Sequence, residues 1–147
     1  MLRATLAAVL LLSCGPTYQM QPSSAFKRYE ESGGLKLITA TGVRVKVREV
    51  DNYPIADLAF WQDAMERHLL ARGYALKSME RFTTTSGHSA ATLDFVLPYG
   101  SEDWVLSETI LVVGDRIVLV EAAGPYELFV PVEAELRASL RSFDPGT

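Results

Sequence analysis

Ile110-Leu111-Val112-Val113-Gly114-Asp115-Arg116-Ile117-Val118-Leu119-Val120-Glu121-Ala122-Ala123 is the stretch that decides the fold. Two apolar, largely β-branched runs flank Gly114-Asp115, a two-residue connection of the hairpin kind. Ile110 to Val113 and Ile117 to Val120 are apolar at every position, not at alternate ones. Strands of that composition are covered on both faces, so these two are expected near the centre of a sheet with a layer on each side. Counting outward from the turn pairs Val113 with Arg116, Ile110 with Leu119 and Glu108 with Glu121. The last pair sets two carboxylates opposite each other, which destabilises a sheet unless they are solvated or countered.

Working outward, Tyr74 to Thr84, Ala90 to Leu97 and Trp104 to Val113 read as strands, with turns at Gly87-His88 and Pro98-Tyr99-Gly100-Ser101. Connections this short imply an antiparallel meander. Towards the amino end, Leu35 to Ile38 and Val43 to Arg48 read as two strands around Thr41-Gly42, stopped by Asp51-Asn52-Tyr53-Pro54. Val43, Val45 and Val47 share one face of the second, and Arg44, Lys46 and Arg48 share the other. Asp57 to Arg72 carries Leu58, Trp61, Met65 and Leu69 at helical spacing, with Phe60, Ala64 and Leu70 widening the apolar face. After Gly124-Pro125, Tyr126 to Arg141 reads as a second helical region interrupted by Pro131. Leu136, Leu140 and Phe143 would pack it onto the sheet. The order of elements predicts an α+β domain: a largely antiparallel sheet of about six strands with two helices packed on it.

The chain has 147 residues, 48% hydrophobic and 22% charged, which suits one globular domain and excludes a fully disordered chain. A formal charge of −4 argues against a broad nucleic-acid footprint, so no nucleic acid is expected as a partner. The single cysteine, Cys14, excludes an intrachain disulfide and argues against a thiolate zinc site.

Met1-Leu2-Arg3, the uncharged run Ala4 to Leu12 and the small residues behind it have the layout of an export signal. The run spans only about 14 Å as a helix, too short for a bilayer. Leu11-Leu12-Ser13-Cys14-Gly15 resembles the bacterial lipobox. The resemblance implies diacylglyceryl transfer to the Cys14 sulfur, cleavage before Cys14 and acylation of the new amino end by a fatty acid such as palmitate. Residues 1–13 would be the signal peptide. Two or three acyl chains hold a protein stably without a transmembrane helix. Gly15 rather than aspartate after the cysteine points, within that resemblance, to the outer membrane with the domain in the periplasm. Residues 14–34, rich in Gln, Pro, Ser and Gly, read as a flexible tether with a reach of about 25 Å. Within it, Ala25 to Glu31 suits either a short helical turn or solvated coil. Residues 35–143 form the single domain and 144–147 a tail.

The hairpin Ile110 to Ala123, then Gly124-Pro125, Phe129 and a closing helix ending Leu140-Arg141-Ser142-Phe143, resembles the end of PsbP-like domains. These are α/β/α sandwiches of photosynthetic accessory proteins and of small bacterial proteins. The resemblance implies an accessory or binding role and offers no catalytic motif.

Gly87-His88-Ser89-Ala90-Ala91 is like a hydrolase nucleophile elbow, but the last position lacks the glycine and an alternating strand follows where a helix is required. Two distant histidines, His68 and His88, make no metal site, and neither Gly33-Gly34 nor Gly114 makes a phosphate loop. No catalytic residue, metal or cofactor is therefore assigned. Arg44, Lys46, Arg48 and Trp104 are the candidate partner-binding residues, with Tyr99 beside Trp104. Lysine and arginine on a strand also protect sheet edges, which is the plainer account of the stripe. The favoured function is a membrane-anchored, non-catalytic accessory or adaptor protein with a protein partner in the envelope. The alternatives are an envelope enzyme or inhibitor using Glu108 and Glu121, and a carrier of a small apolar ligand between sheet and helix.

Overall fold

The computed structural model describes residues 18–29 and 34–146. Cys14 and the residues read as export signal and lipobox lie outside the described residues. The element order is β1 (Phe26–Arg28), β2 (Lys36–Thr39), β3 (Arg44–Asp51), α1 (Leu58–Ala71), β4 (Ala75–Thr83), β5 (Ser89–Tyr99), β6 (Glu102–Val113), β7 (Arg116–Pro125), α2 (Tyr126–Phe129), a 3-10 turn (Val130–Val132) and α3 (Glu133–Arg141).

All described strands join one seven-stranded antiparallel sheet in the order β1-β2-β3-β7-β6-β5-β4. The hairpin read from the sequence sits at its centre, and Gly114 takes the left-handed conformation (φ 62°) its turn requires. Val113 lies opposite Arg116, Ile110 opposite Leu119 and Glu108 opposite Glu121, as the count from the turn predicts.

Each face of the sheet carries a layer. On one, Leu37, Val45, Val105, Leu111, Val118 and Val120 pack with Phe129, Leu136 and Leu140 from the carboxyl-terminal helices and with Phe143 just beyond them. On the other, Leu93, Phe95, Ile110, Ile117 and Leu119 meet Leu58, Trp61, Met65 and Leu69 of α1. Asp57 caps α1 by accepting from the Phe60 N–H at 2.9 Å. The apolar stripe of α1 is broader than its contact: Phe60 and Leu70, expected to widen the buried face, are exposed, and the buried residue is Gln62, which accepts from Arg81 Nε at 2.6 Å.

Strand number and amino-terminal boundary both differ from the sequence reading. Part of the expected tether belongs to the domain: Met20 and Phe26 are buried, and Phe26–Arg28 pairs with β2 as the extra strand rather than forming a helical turn or coil. Glu135 of α3 holds the segment by accepting from Ser23 Oγ at 2.8 Å and from the Ala25 N–H at 2.9 Å. These hydrogen bonds keep its carboxyl below the ordinary carboxylate range. Residues 144–146 are likewise drawn in, since Gln19 and Asp144 exchange backbone hydrogen bonds at 3.0 and 2.8 Å.

Among the described residues, Gly124 is the one glycine needed for close approach. A Cβ there would stand 2.9 Å from Val43 Cγ2 and 3.4 Å from Val43 Cα. Gly124→Ala is expected to cost about 1–3 kcal/mol by overpacking. Urea denaturation checks this, and an unchanged midpoint would mean that β3 gives way freely.

Candidate functional site

The α1 layer covers only part of its sheet face. The rest carries the polar residues singled out above. Because alternate residues of a strand share a face, Arg44, Lys46 and Arg48 of β3, Glu121 of β7, and Trp104 and Glu108 of β6 all point to this side. The register sets Lys46 beside Glu121 and Glu121 beside Glu108, a polar row across three strands.

Lys46 Nζ lies 3.4 Å, and Arg48 Nε 2.7 Å, from Glu121 Oε2. The strand of the stripe is thus alongside the carboxylate pair and supplies its counter-charge. Arg44 is different. It lies beside Ala123 and makes no ion pair among the described residues. Edge protection does not explain the stripe, because β3 is an interior strand between β2 and β7.

Glu108 is 4% exposed and its Oε2 has no hydrogen-bond partner among the described residues. Burial, and next the neighbouring Glu121 carboxylate, push its pKa up to about 8, while Arg48 and Lys46 pull the other way. Glu108 is therefore largely protonated at neutral pH, and the opposed pair is held without two adjacent negative charges.

Two apolar hollows flank the row. One, of about 350 Å3, lies under α1 and is lined by Trp61, Met65, His68, Ile110, Ile117 and Leu119. The other, of about 270 Å3, is lined by Tyr74, Leu97, Tyr99, Trp104, Leu106 and Ala123. Trp104 is half-buried there, in an edge-on contact with the exposed Tyr99 at 5.5 Å between ring centroids. The structure thus gathers Arg44, Lys46, Arg48 and Trp104 on one face. Arg44 and Trp104 lie at one end of it, roughly 12 Å apart by strand spacing and rise. The hollow lining was not legible in the sequence, because Tyr74 arrives from the turn after α1.

Ser89 opens β5, with no helix behind it, so the elbow geometry is missing. The opposite face holds a charged pair that sequence reasoning missed. Asp94 is 1% exposed and meets the Arg137 guanidinium of α3, while Ser78 Oγ donates to Asp94 Oδ2 at 2.5 Å. An aspartate on the buried face of β5 was the available signal; its partner follows 43 residues later.

No protein-family model and no curated protein matches the sequence. Solved structures do match. The solution structure of cyanobacterial PsbP (CyanoP) from Synechocystis sp. PCC 6803 superposes with a TM-score of 0.59 at 12% identity, covering 92% of this chain and 98% of that one. The fold is PsbP-like. A protein of unknown function from Pseudomonas aeruginosa, described as a putative regulator, gives a TM-score of 0.54 at 11% identity, covering 90% of this chain and 85% of that one. At these identities the likeness concerns the fold, and it agrees with the PsbP-like resemblance read from the hairpin and closing helix.

Proposed function

We propose that this chain is a lipid-anchored accessory protein of the bacterial envelope. It is held by acyl chains on Cys14, in the outer membrane with the domain in the periplasm, and binds an acidic protein partner. The observation that carries the partner reading is the end of the α1 face where Arg44, without an ion pair among the described residues, stands beside the Trp104 hollow. Aromatic residues and arginine anchor interfaces, and a protonated Glu108 leaves the neighbouring row with excess positive charge. The anchor reading rests on the lipobox resemblance of Leu11-Leu12-Ser13-Cys14.

A photo-crosslinking side chain at Trp104, in cells expressing the full chain, tests the partner reading. One crosslinked product is expected, lost about tenfold on Arg44→Glu and absent when the crosslinker stands at Lys27 on the edge strand β1; a tenfold loss corresponds to about 1.4 kcal/mol. Equal crosslinking from both positions would sink it. Intact-mass measurement tests the anchor: the membrane form is expected to begin at Cys14 with added lipid mass, and Cys14→Ala to remove that mass and the membrane attachment.

A second reading has its own support. The apolar hollow under α1 has the volume and lining for a small apolar ligand. It predicts saturable binding of a long-chain alcohol, abolished by Met65→Trp but not by Arg44→Glu.

A further inference from the structure

We propose that the pole of the domain bearing Tyr53, Pro54 and Ile55 dips into the interface of the zwitterionic bilayer that carries the anchor. This rests on the lipid-anchor reading and adds an orientation to it.

The argument begins at the amino end of the described chain. Tyr18 Oη donates to Glu49 Oε2 at 2.7 Å, and the Tyr18 ring stacks on Phe143 at 6.1 Å. Burial first, and then Glu49, raise the Tyr18 pKa to about 12, so the phenol stays a donor across the physiological range. With Gln19 bonded to Asp144 and Met20 buried, the chain is fixed to the domain from Tyr18 onward. Cys14 precedes Tyr18 by four residues, a reach of about 14 Å at most. The span between Cys14 and the fixed chain is therefore well below the roughly 25 Å expected from composition, and the pole around Tyr18 is held against the membrane.

That pole is where apolar side chains face solvent. Glu49 is near the end of β3, and the chain then turns through Asn52 into the loop before α1. Tyr53 is 85% and Ile55 81% exposed, and Phe60 in the first turn of α1 is exposed too. The loop behind them is firmly held. Buried Asn52 donates through Nδ2 to the carbonyls of Ala56 and Gly114, both at 3.1 Å. Its Oδ1 accepts from the Ala56 N–H at 3.1 Å and from Trp61 Nε1 at 2.7 Å. Its own N–H bonds the Asp115 carbonyl at 2.8 Å. The tyrosine and isoleucine that this well-held loop displays add little burial to the fold, and such a patch marks a contact surface. Tyrosine, with an apolar ring and a polar tip, suits the headgroup level of a membrane.

Charge selects the lipid. Asp51, Asp57 and Asp115 are exposed around the loop. The nearby cation, Arg116, is occupied by Glu49 at 2.8 Å and by the carbonyls of Pro145 and Gly146. An anionic surface would be repelled, whereas a zwitterionic one leaves the apolar contact free to form.

The test uses the full lipidated chain on phosphatidylcholine vesicles, with Ile55→Cys carrying an environment-sensitive fluorophore; Cys14 is blocked by its lipid. Tyr99→Cys is the control, at the opposite end of the sheet and roughly 35 Å away by strand rise. Spin-labelled acyl chains are expected to quench the label several-fold more at position 55 than at position 99, and less on vesicles rich in phosphatidylglycerol. Equal aqueous iodide access at both positions on vesicle-bound protein would overturn the docking alone, leaving the anchor intact. Energy transfer between two labelled copies in place of lipid quenching would assign the patch to self-association and also overturn it. A chain whose mass shows no lipid would overturn the anchor and this orientation together.

Discussion

Arg137→Leu is expected to destabilise the domain by about 3–5 kcal/mol, measured by urea denaturation at neutral pH. Asp94 is 1% exposed on β5, beneath α3, and Arg137 is the cation against it. Ser78 Oγ donates to one carboxylate oxygen; the other, Asp94 Oδ1, has no hydrogen-bond partner among the described residues. Removing the guanidinium leaves a buried negative charge with one hydroxyl donor, and the cost follows from that uncompensated charge. It does not follow from the worth of the pair itself. Arg137 also lies 3.6 Å from Glu133 and 3.9 Å from Glu80, but these carboxylates are partly solvated and their loss counts for little. Adding Asp94→Leu to Arg137→Leu should therefore recover most of the stability, because two apolar side chains replace the pair. A loss below about 1 kcal/mol for the single variant would mean that water reaches Asp94.

The contrast between what the sequence shows and what it hides is physical. The central hairpin was legible because Gly114-Asp115 fixes the register and the period of two then carries it outward through Ile110–Leu119 to Glu108–Glu121. The helix over Leu58–Ala71 was legible from its stripe, although propensity cannot say how much of a stripe finds a partner: Phe60 and Leu70 remain exposed. The strand Phe26–Arg28 was hidden. It is three residues long, its neighbours have no period, and it is held by Glu135, 110 residues away from Ala25. A composition rich in Ser, Pro and Gln reads as tether when the partner that orders it is that distant. The site was half legible. Arg44, Lys46 and Arg48 share a face by alternation alone, but only the long-range pairing of β3 with β7 makes that strand interior and sets the stripe against Glu121. Asp94 and Arg137 belong to different elements, and no local pattern joins them.

Between pH 4.5 and pH 9 the domain is expected to lose stability on the order of 3–5 kcal/mol through one side chain, Glu108. Its pKa is about 8 in the fold against an ordinary 4.5, first because burial disfavours the carboxylate and then because Glu121 faces it. Over that interval the folded chain binds more protons than the unfolded chain. The contribution is therefore fully present below the unfolded pKa and is lost as the pH rises through the folded one. Glu108→Gln removes the titration. Its amide can still donate to Glu121, which keeps Arg48 at 2.7 Å. The variant is expected to show little of this pH dependence and to be more stable than the parent at pH 9. Unfolding free energies of both proteins at pH 5, 7 and 9 decide it: parallel profiles would show that the opposed carboxylates are not the source. The same protonation bears on the surface above. With Glu108 neutral, the row has one negative charge, Glu121, against Lys46 and Arg48, and Arg44 adds a cation with no partner among the described residues. Ionising Glu108 cancels part of that excess. Binding of the proposed acidic partner at the Arg44 end should therefore weaken as the pH rises through about 8, the upper end of the range in which the fold loses stability, and Glu108→Gln should remove both losses.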